Sequence, residues 1–481
     1  MSTYRPLSAV VLAAGEGTRM RSTTPKVLHQ LCGRPMLLHV VDALAALPLA
    51  KIVIVVGHGA ERVTKTLHDQ LEIEIPVEFV EQRVQRGTGD AASVALTAFA
   101  DDLDAEDDIL LVPGDTPLLR AETLAELARA HREQEAAATL LTAVIDDPTG
   151  YGRVVRGKND RVEGIVEHSD ASPETLAIDE VNTSIYCFRR SLLAPALRRL
   201  SPENAQGEYY LTDAIAVLRE TGNTVTAVVS SDSAETLGVN DRSQLAVAEA
   251  ELRHRINTRW MKAGVSMVDP ACTYVDASVQ LAPEVRLLPG TILEGRTAVA
   301  TGALIGPDTR LVDTVVGERA VVQQTVARDA DIGPDVTVGP FASLRPGTRL
   351  LAGAHVGTYV ELKNAEVGEG AKVPHLAYVG DAEIGAGANL GAGTITANYD
   401  GRRKHRTTVG RDARTGSNTV LVAPVEVGDG AYTGAGAVVT HDVPPGALAK
   451  GVPAVVETGW AEARESGWAE ARKAREDDET P

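Results

Sequence analysis

From Val275 onwards apolar side chains recur every six residues, a spacing that neither the 3.6-residue period of an α-helix nor the two-residue period of a flat strand generates. Val275, Leu281, Leu287, Leu293, Val299, Ile305 and Leu311 form one run, and Ile332, Val338, Leu344, Leu350, Val356 and Leu362 a second. Val409, Thr415, Leu421, Val427, Thr433 and Val439 form a third. A small residue often follows the apolar one, as in Val338-Gly339, Ile384-Gly385 and Val427-Gly428. That is what a tightly turned prism with one inward side chain per edge requires. Three edges of six make a coil of 18, so about 170 residues give nine or ten coils of a β-helix. The many glycines (44) and few aromatics (4%) suit such close backbone packing. The phase breaks near 364–374 and 398–406, where loops are expected to leave the prism and carry binding chemistry.

The front half follows another rule. Apolar β-rich runs at 9–12, 52–56, 109–112 and 139–144 alternate with helical stretches, which predicts a Rossmann-like α/β domain with a mostly parallel sheet. Ligands of such sheets sit beyond the carboxyl ends of the strands, so the loops after Leu12 and Val112 are the first candidates. A helix is expected over 242–263, with Asp241 as N-cap and Gly264 at its end. The chain therefore divides into a nucleotidyltransferase-type domain at 1–240, a linker helix at 241–264, a β-helix at 265–456 and a charged tail at 457–481. In the tail Gly-Trp-Ala-Glu-Ala-Arg occurs at 459–464 and again at 467–472.

A net charge of −19 opposes nucleic-acid or anionic-membrane partners and leaves small anions as substrates where cations cluster locally. Three widely spaced cysteines offer neither a disulfide framework nor a cysteine-rich metal site, which fits a reducing cytoplasm. No apolar run approaches the roughly 20 residues of a membrane span, so no insertion is expected.

After Val10–Leu12 comes Ala13-Ala14-Gly15-Glu16-Gly17-Thr18-Arg19-Met20, then Thr24-Pro25-Lys26-Val27-Leu28. A glycine turn admits a triphosphate to backbone N–H groups, and Arg19 and Lys26 can neutralise charge at the reacting phosphorus. The spacing is neither that of a P-loop nor that of the dinucleotide fingerprint. These residues resemble the signature of sugar-1-phosphate nucleotidyltransferases. Gln82, Gly87-Thr88-Gly89, Gly114-Asp115, Thr149-Gly150-Tyr151-Gly152-Arg153, Glu167-His168, Val181-Asn182-Thr183 and Gly238-Val239-Asn240 extend the likeness. With the hexapeptide half included, nearly the whole chain resembles the bacterial family that joins N-acetylglucosamine-1-phosphate uridylyltransferase to glucosamine-1-phosphate N-acetyltransferase.

The resemblance implies a left-handed parallel β-helix, a homotrimer, and synthesis of UDP-N-acetylglucosamine for peptidoglycan and lipopolysaccharide precursors. It implies that Leu12, Ala13, Ala14, Gly15, Lys26, Gln82, Gly87, Thr88, Pro113, Gly114 and Asp115 hold UTP, with Gly152, Glu167, Asn182 and Asn240 completing the nucleotide-sugar site. Arg19 and Lys26 assist catalysis, and Asp115 and Asn240 bind Mg²⁺, whose hard-cation chemistry suits oxygen donors. Pro113 stands where the family carries a tyrosine.

In the rear half, acyl transfer to an amine calls for a base of near-neutral pKa, and His375 lies beside a phase break. The resemblance makes His375 the catalytic base and assigns glucosamine-1-phosphate to Arg345, Lys363, Tyr378 and Asn389. Ala392, Asn398, Tyr399, Ser417, Ala435 and Lys450 would then take acetyl-CoA. Lys450 occupies the region where the family uses an arginine, and an ammonium lacks the planar fork of a guanidinium. Ala397 replaces a family cysteine. Two other readings are a single-activity nucleotidyltransferase whose β-helix only oligomerises or regulates, and a histidine-metal hydratase. Arg345, Lys363, His375 and Asn398 at loop positions speak against the first. His355, His375, His405 and His441 show no metal-ligand spacing for the second.

Overall fold

The computed structural model describes residues 5–99, 107–461 and 464, and divides into two compact units between Leu252 and Arg253. In the first, Leu7–Ala13 lies inside a sheet ordered Val225–Val229, Ala138–Val144, Glu180–Arg189, Asp108–Pro113, Leu7–Ala13, Ile52–Val56, Val77–Glu81. All neighbours on this path run parallel except Glu180–Arg189, which is antiparallel to both of its own. Side chains alternate strictly between the faces. Ala9, Val11, Ile52, Ile54, Leu110 and Val112 belong to one buried cluster, Val10, Val53, Val55, Ile109 and Leu111 to another. Helices Met36–Ala45 and Ala121–Glu133 contribute to the first cluster, Thr88–Leu96 and Asp213–Glu220 to the second. With both faces covered, the strands can be apolar runs instead of half-polar ones.

A long helix, Arg242–Lys262, follows. Asp241 Oδ1 accepts the N–H groups of Ser243 and Gln244, each at 2.9 Å, and Gly264 has φ +97°. The division between the two units falls within this helix.

The second unit is the β-helix. Every one of the six-spaced residues, from Val275 to Val439, is buried. Parallel strands pair with those one coil on, for instance Leu293 with Leu311, Leu344 with Leu362 and Val409 with Val427. Buried threonines such as Thr291 and Thr394 are satisfied locally: the Thr291 hydroxyl donates to the Leu288 carbonyl at 2.7 Å, and that of Thr394 to Gly391 at 2.7 Å.

The two predicted loops come out differently. No loop leaves the prism at 364–374. Strand Glu361–Val367 covers the start of this stretch and strand Lys372–His375 its end; the first pairs with Tyr378–Ile384, so Leu362 meets Val379 and Val367 meets Ile384. That coil is one residue short. Asn364 takes up the change at a corner with φ +45°, a conformation asparagine tolerates. At 398–406 the chain does leave. Ala382 pairs with Thr407, skipping a bulge that carries Asn398 to Arg406. At the boundary expected between β-helix and tail, Ala454–Glu457 forms an antiparallel hairpin with Leu448–Gly451. The second Gly-Trp-Ala-Glu-Ala-Arg copy lies outside the described residues. Among the described residues no helix is long and apolar enough to cross a membrane.

Candidate active sites

The front site follows from strand order. Leu7–Ala13 has Ile52–Val56 on one side and Asp108–Pro113 on the other, so the connections leave its carboxyl end in opposite directions and a crevice opens there. A cavity of about 470 Å³ occupies that position. Its lining includes Leu12, Ala13, Ala14, Gly15, Lys26, Gln82, Gly87, Thr88, Pro113, Asp115, Glu167, Asn182 and Asn240.

Three other candidates stand behind the wall. Gly114 donates its N–H to the Leu12 carbonyl at 2.8 Å, and the Gly152 carbonyl accepts from the Asn182 N–H at 2.8 Å. Arg19 reaches the site through Asn240, Nη2 to Oδ1 at 2.9 Å.

The glycine turn has two functions. Gly15 faces open space where a side chain would stand, leaving room against the backbone. Gly17, at φ +65°, abuts Lys26, whose Cβ would lie 2.5 Å from an added methyl group. That approach delivers Lys26 to the far wall. There its ammonium forms an ion pair with Asp115 and donates to Asn240 Oδ1 at 2.8 Å. Asp115 accepts the Val239 N–H on its carbonyl at 2.9 Å, and Val239 is buried in a small cluster with Leu31, Met36 and Leu118. Asn240 is thus fixed by packing next door, and its own N–H donates to Gln244 Oε1 at 2.7 Å.

On the sugar side Glu167 accepts from the Thr212 hydroxyl at 3.0 Å. Burial pushes its pKa up; the Thr212 bond opposes this, while Asp213 and Asp170 add to the rise. Asn182 donates to the buried Tyr186 hydroxyl at 2.8 Å. Three wall residues escaped the sequence reading. Gln85 donates to the Ala14 carbonyl at 2.5 Å, Thr212 holds Glu167, and the Tyr151 phenol has its pKa raised by burial and by Asp115. Tyr151 stands inside one of the motifs above, whereas Gln85 lies between Gln82 and Gly87 and Thr212 belongs to no motif, and both are found only by their contacts.

The rear candidates gather in two columns on the outside of the prism. In the first, backbone bonds between coils give the stacking. Gly393 N–H donates to the His375 carbonyl at 3.1 Å, Asn418 N–H to Ala392 at 2.7 Å, and Gly436 N–H to Ser417 at 2.8 Å. His375, Ala392, Ser417 and Ala435 therefore occupy one edge on four successive coils. Lys450 continues it one coil further, beside Gly434, but its ammonium is ion-paired with Glu457. Asn389 lies on the coil below Lys372.

In the second column, Arg345 bonds through its N–H to Leu362 at 2.9 Å and Lys363 pairs with Gly380. Gly380 is needed: a methyl group there would lie 2.5 Å from the Tyr378 hydroxyl and 2.8 Å from the Asn398 amide. Arg345 is held by Glu361 at 2.9 Å. Lys404, from the 398–406 bulge, lies against Lys363 and lowers its pKa, a lysine the sequence reading missed. Three like charges so close favour a bound anion. Asp381 accepts from Asn364 at 2.8 Å and from Asn398 at 2.5 Å, which holds the buried Asn398 at the root of the bulge. Tyr399 beyond it is 61% exposed.

Residues 9–221 match the MobA-like NTP transferase domain, and residues 406–441 match the bacterial transferase hexapeptide (six repeats). The chain is 52% identical to the bifunctional protein GlmU of Streptomyces avermitilis, over 93% of this chain and 92% of the relative. It is 51% identical to the GlmU of Thermobifida fusca over 96% of both, and 47% identical to that of Desulfitobacterium hafniense over 92% and 95%. The chain belongs to the bifunctional GlmU family and is a two-activity transferase, with uridylyl transfer assigned to the NTP transferase half and acetyl transfer to the hexapeptide half.

Proposed function

We propose that the rear columns acetylate glucosamine-1-phosphate with acetyl-CoA, and that the front cavity then joins N-acetylglucosamine-1-phosphate to UTP, releasing pyrophosphate and UDP-N-acetylglucosamine. What carries the reading is the convergence of Lys26 on Asp115 and Asn240 at the switch point of the sheet. In uridylyl transfer the sugar phosphate attacks the α-phosphorus in line, and no protein nucleophile is required. Ala13 to Gly15, Gln82, Gly87 and Thr88 hold the nucleotide; Gly152, Glu167 and Asn182 hold the sugar. Arg19 and Lys26 neutralise phosphate charge.

Asp115 and Asn240 both meet one cation, the Lys26 ammonium, and offer only oxygen donors on its side, a set that suits Mg²⁺. These two residues would hold the ion, whose positive charge would offset that of the phosphates. Among the described residues no cluster of three or more His, Cys, Asp or Glu competes for it.

In the rear half His375 takes the proton of the substrate amine as it attacks the thioester carbon, and the thiolate of coenzyme A leaves. Arg345 and Lys363 grip the sugar phosphate, and Tyr378 and Asn389 orient the sugar. Coenzyme A runs down the edge from Ala392, past Ser417 and Ala435, towards Lys450, with Asn398 and Tyr399 flanking the reaction centre. A convex outer edge cannot exclude water by itself. Phe341, Tyr359 and Leu376, 50%, 60% and 63% exposed at corners close to His375, support closure by further copies of the chain as a homotrimer. Three widely spaced cysteines, Cys32, Cys187 and Cys272, accord with a cytoplasmic setting.

Thiol release from acetyl-CoA with glucosamine-1-phosphate, followed by mass detection of UDP-N-acetylglucosamine after UTP and Mg²⁺ are added, tests the sequence of steps. Asp115→Ala should abolish only the second step and His375→Ala only the first. Loss of both activities in either folded variant would refute the two-site assignment.

A further inference from the structure

Lys450 closes the edge formed by His375, Ala392, Ser417 and Ala435, with its Cβ 3.2 Å from where a methyl group on Gly434 would stand. Its ammonium is not free: it is ion-paired with Glu457 across the hairpin of Leu448–Gly451 with Ala454–Glu457. Both side chains are about half exposed, 53% and 42%, so the pair lies open to an incoming solute. Successive coils are about 4.8 Å apart, which sets Lys450 about 14 Å from Ala392 along the edge. A donor whose thioester lies at Ala392 reaches that far only through a long arm, and the group at the arm's end that an ammonium recognises is a phosphate.

We propose that Glu457 is an internal competitor for the phosphate-bearing end of the acyl donor. The proposal rests on the reading that acetyl-CoA lies along this edge. An anionic donor must displace the Glu457 carboxylate from Lys450 before it gains the cation, and the displaced carboxylate stays nearby as a like charge. The hairpin therefore weakens donor binding without touching the thioester. It also makes the contribution of the donor's phosphates smaller than a free lysine would give. Because the pair is exposed, its strength is that of a surface ion pair and is screened by salt.

The experiment measures acetyl transfer by the full chain at low and high ionic strength, with acetyl-CoA and with acetyl-pantetheine, which carries neither phosphate nor nucleotide. Glu457→Gln should lower the KM for acetyl-CoA about two- to fivefold at low salt with kcat unchanged, the range expected for an exposed pair. The gain should shrink at high salt and be absent with acetyl-pantetheine. It should also be absent when Lys450→Met is combined with Glu457→Gln. An unchanged or raised KM in Glu457→Gln, with Lys450→Met alone weakening acetyl-CoA binding, would overturn the competitor while keeping the lysine in the donor site. A Lys450→Met variant with unchanged KM for acetyl-CoA would remove the lysine itself from that site, and the proposal with it. A gain that persists with acetyl-pantetheine would mean that Glu457 acts through the fold of the hairpin, again against the proposal.

Discussion

Lys26 and Asp115 form an ion pair on the wall of the front cavity, with side chains only 13% and 21% exposed, and the same ammonium donates to Asn240. A shielded cation between two oxygen donors is already aimed at the place where phosphate charge collects. Removing it takes away the positive charge that faces Asp115 in the empty site and that the arriving phosphates would share. Lys26→Met is expected to lower kcat/KM for uridylyl transfer about 10²- to 10³-fold, as does loss of one charge-stabilising donor elsewhere. Acetyl transfer should be unaffected, and the two assays run on one preparation check the pair of outcomes.

Gly17 owes its identity to Lys26. At φ +65° an L side chain is strained, and a methyl group would lie 2.5 Å from the Lys26 Cβ. Gly17→Ala should therefore push Lys26 off the wall and cut uridylyl transfer at least about tenfold, at a cost in stability of about 1–2 kcal/mol. Gly15→Ala meets no atom within 4 Å, so it should fold normally and act only by crowding the nucleotide, raising KM for UTP. Thermal melting separates the two variants.

How far the sequence reveals the fold depends on the range of the interactions. Six-residue periodicity is a local rule repeated, and all of its positions from Val275 to Val439 are buried. It is misleading at 364–374, where a missing residue and an inserted loop disturb the phase alike. A deletion is absorbed at one corner by Asn364, whereas the insertion at 398–406 has to leave the prism. The front strands could be read because both faces are apolar, but the place of Glu180–Arg189, antiparallel between Asp108–Pro113 and Ala138–Val144, is set by long-range pairing. Motif residues such as Gln82 and Asp115 could be identified for the cavity. Thr212, which holds Glu167 across 45 positions of sequence, and Lys404, which faces Lys363, could not.

Asp381 anchors the bulge. Burial would raise its pKa, yet the amides of Asn364 and Asn398, with Lys363 and Lys404 nearby, hold it below the ordinary carboxylate value. A depressed pKa means that the carboxylate's contribution to stability is full above the unfolded value and is lost as pH falls through the folded one. Asp381→Ala strands the buried Asn398 amide and should cost about 1–3 kcal/mol. It should also reduce acetyl transfer by loosening Asn398 and Lys404, while uridylyl transfer persists. The melting difference from the parent should narrow below pH 4, which a scan of Tm against pH reads directly.

Glu167 gives the opposite sign. Burial first, then Asp213 and Asp170, raise its pKa above the unfolded value, against the single Thr212 bond. For a raised carboxyl the protonated form is the one the fold prefers. Any stability it contributes is present below the unfolded pKa and is lost as pH climbs through the folded one, so at neutral pH the ionised group is a burden on the empty site. Glu167→Gln keeps a carbonyl oxygen to accept from Thr212 and removes the charge. Its Tm should therefore exceed the parent's at pH 7 to 8, and the advantage should vanish near pH 4, where both chains are neutral there. Uridylyl transfer should fall all the same, mainly through KM for the sugar phosphate, because a carboxylate that is costly in the empty site is the stronger acceptor for sugar hydroxyls once the sugar displaces water. A variant that melts lower than the parent at pH 8 would show that Glu167 is stabilised by partners other than Thr212.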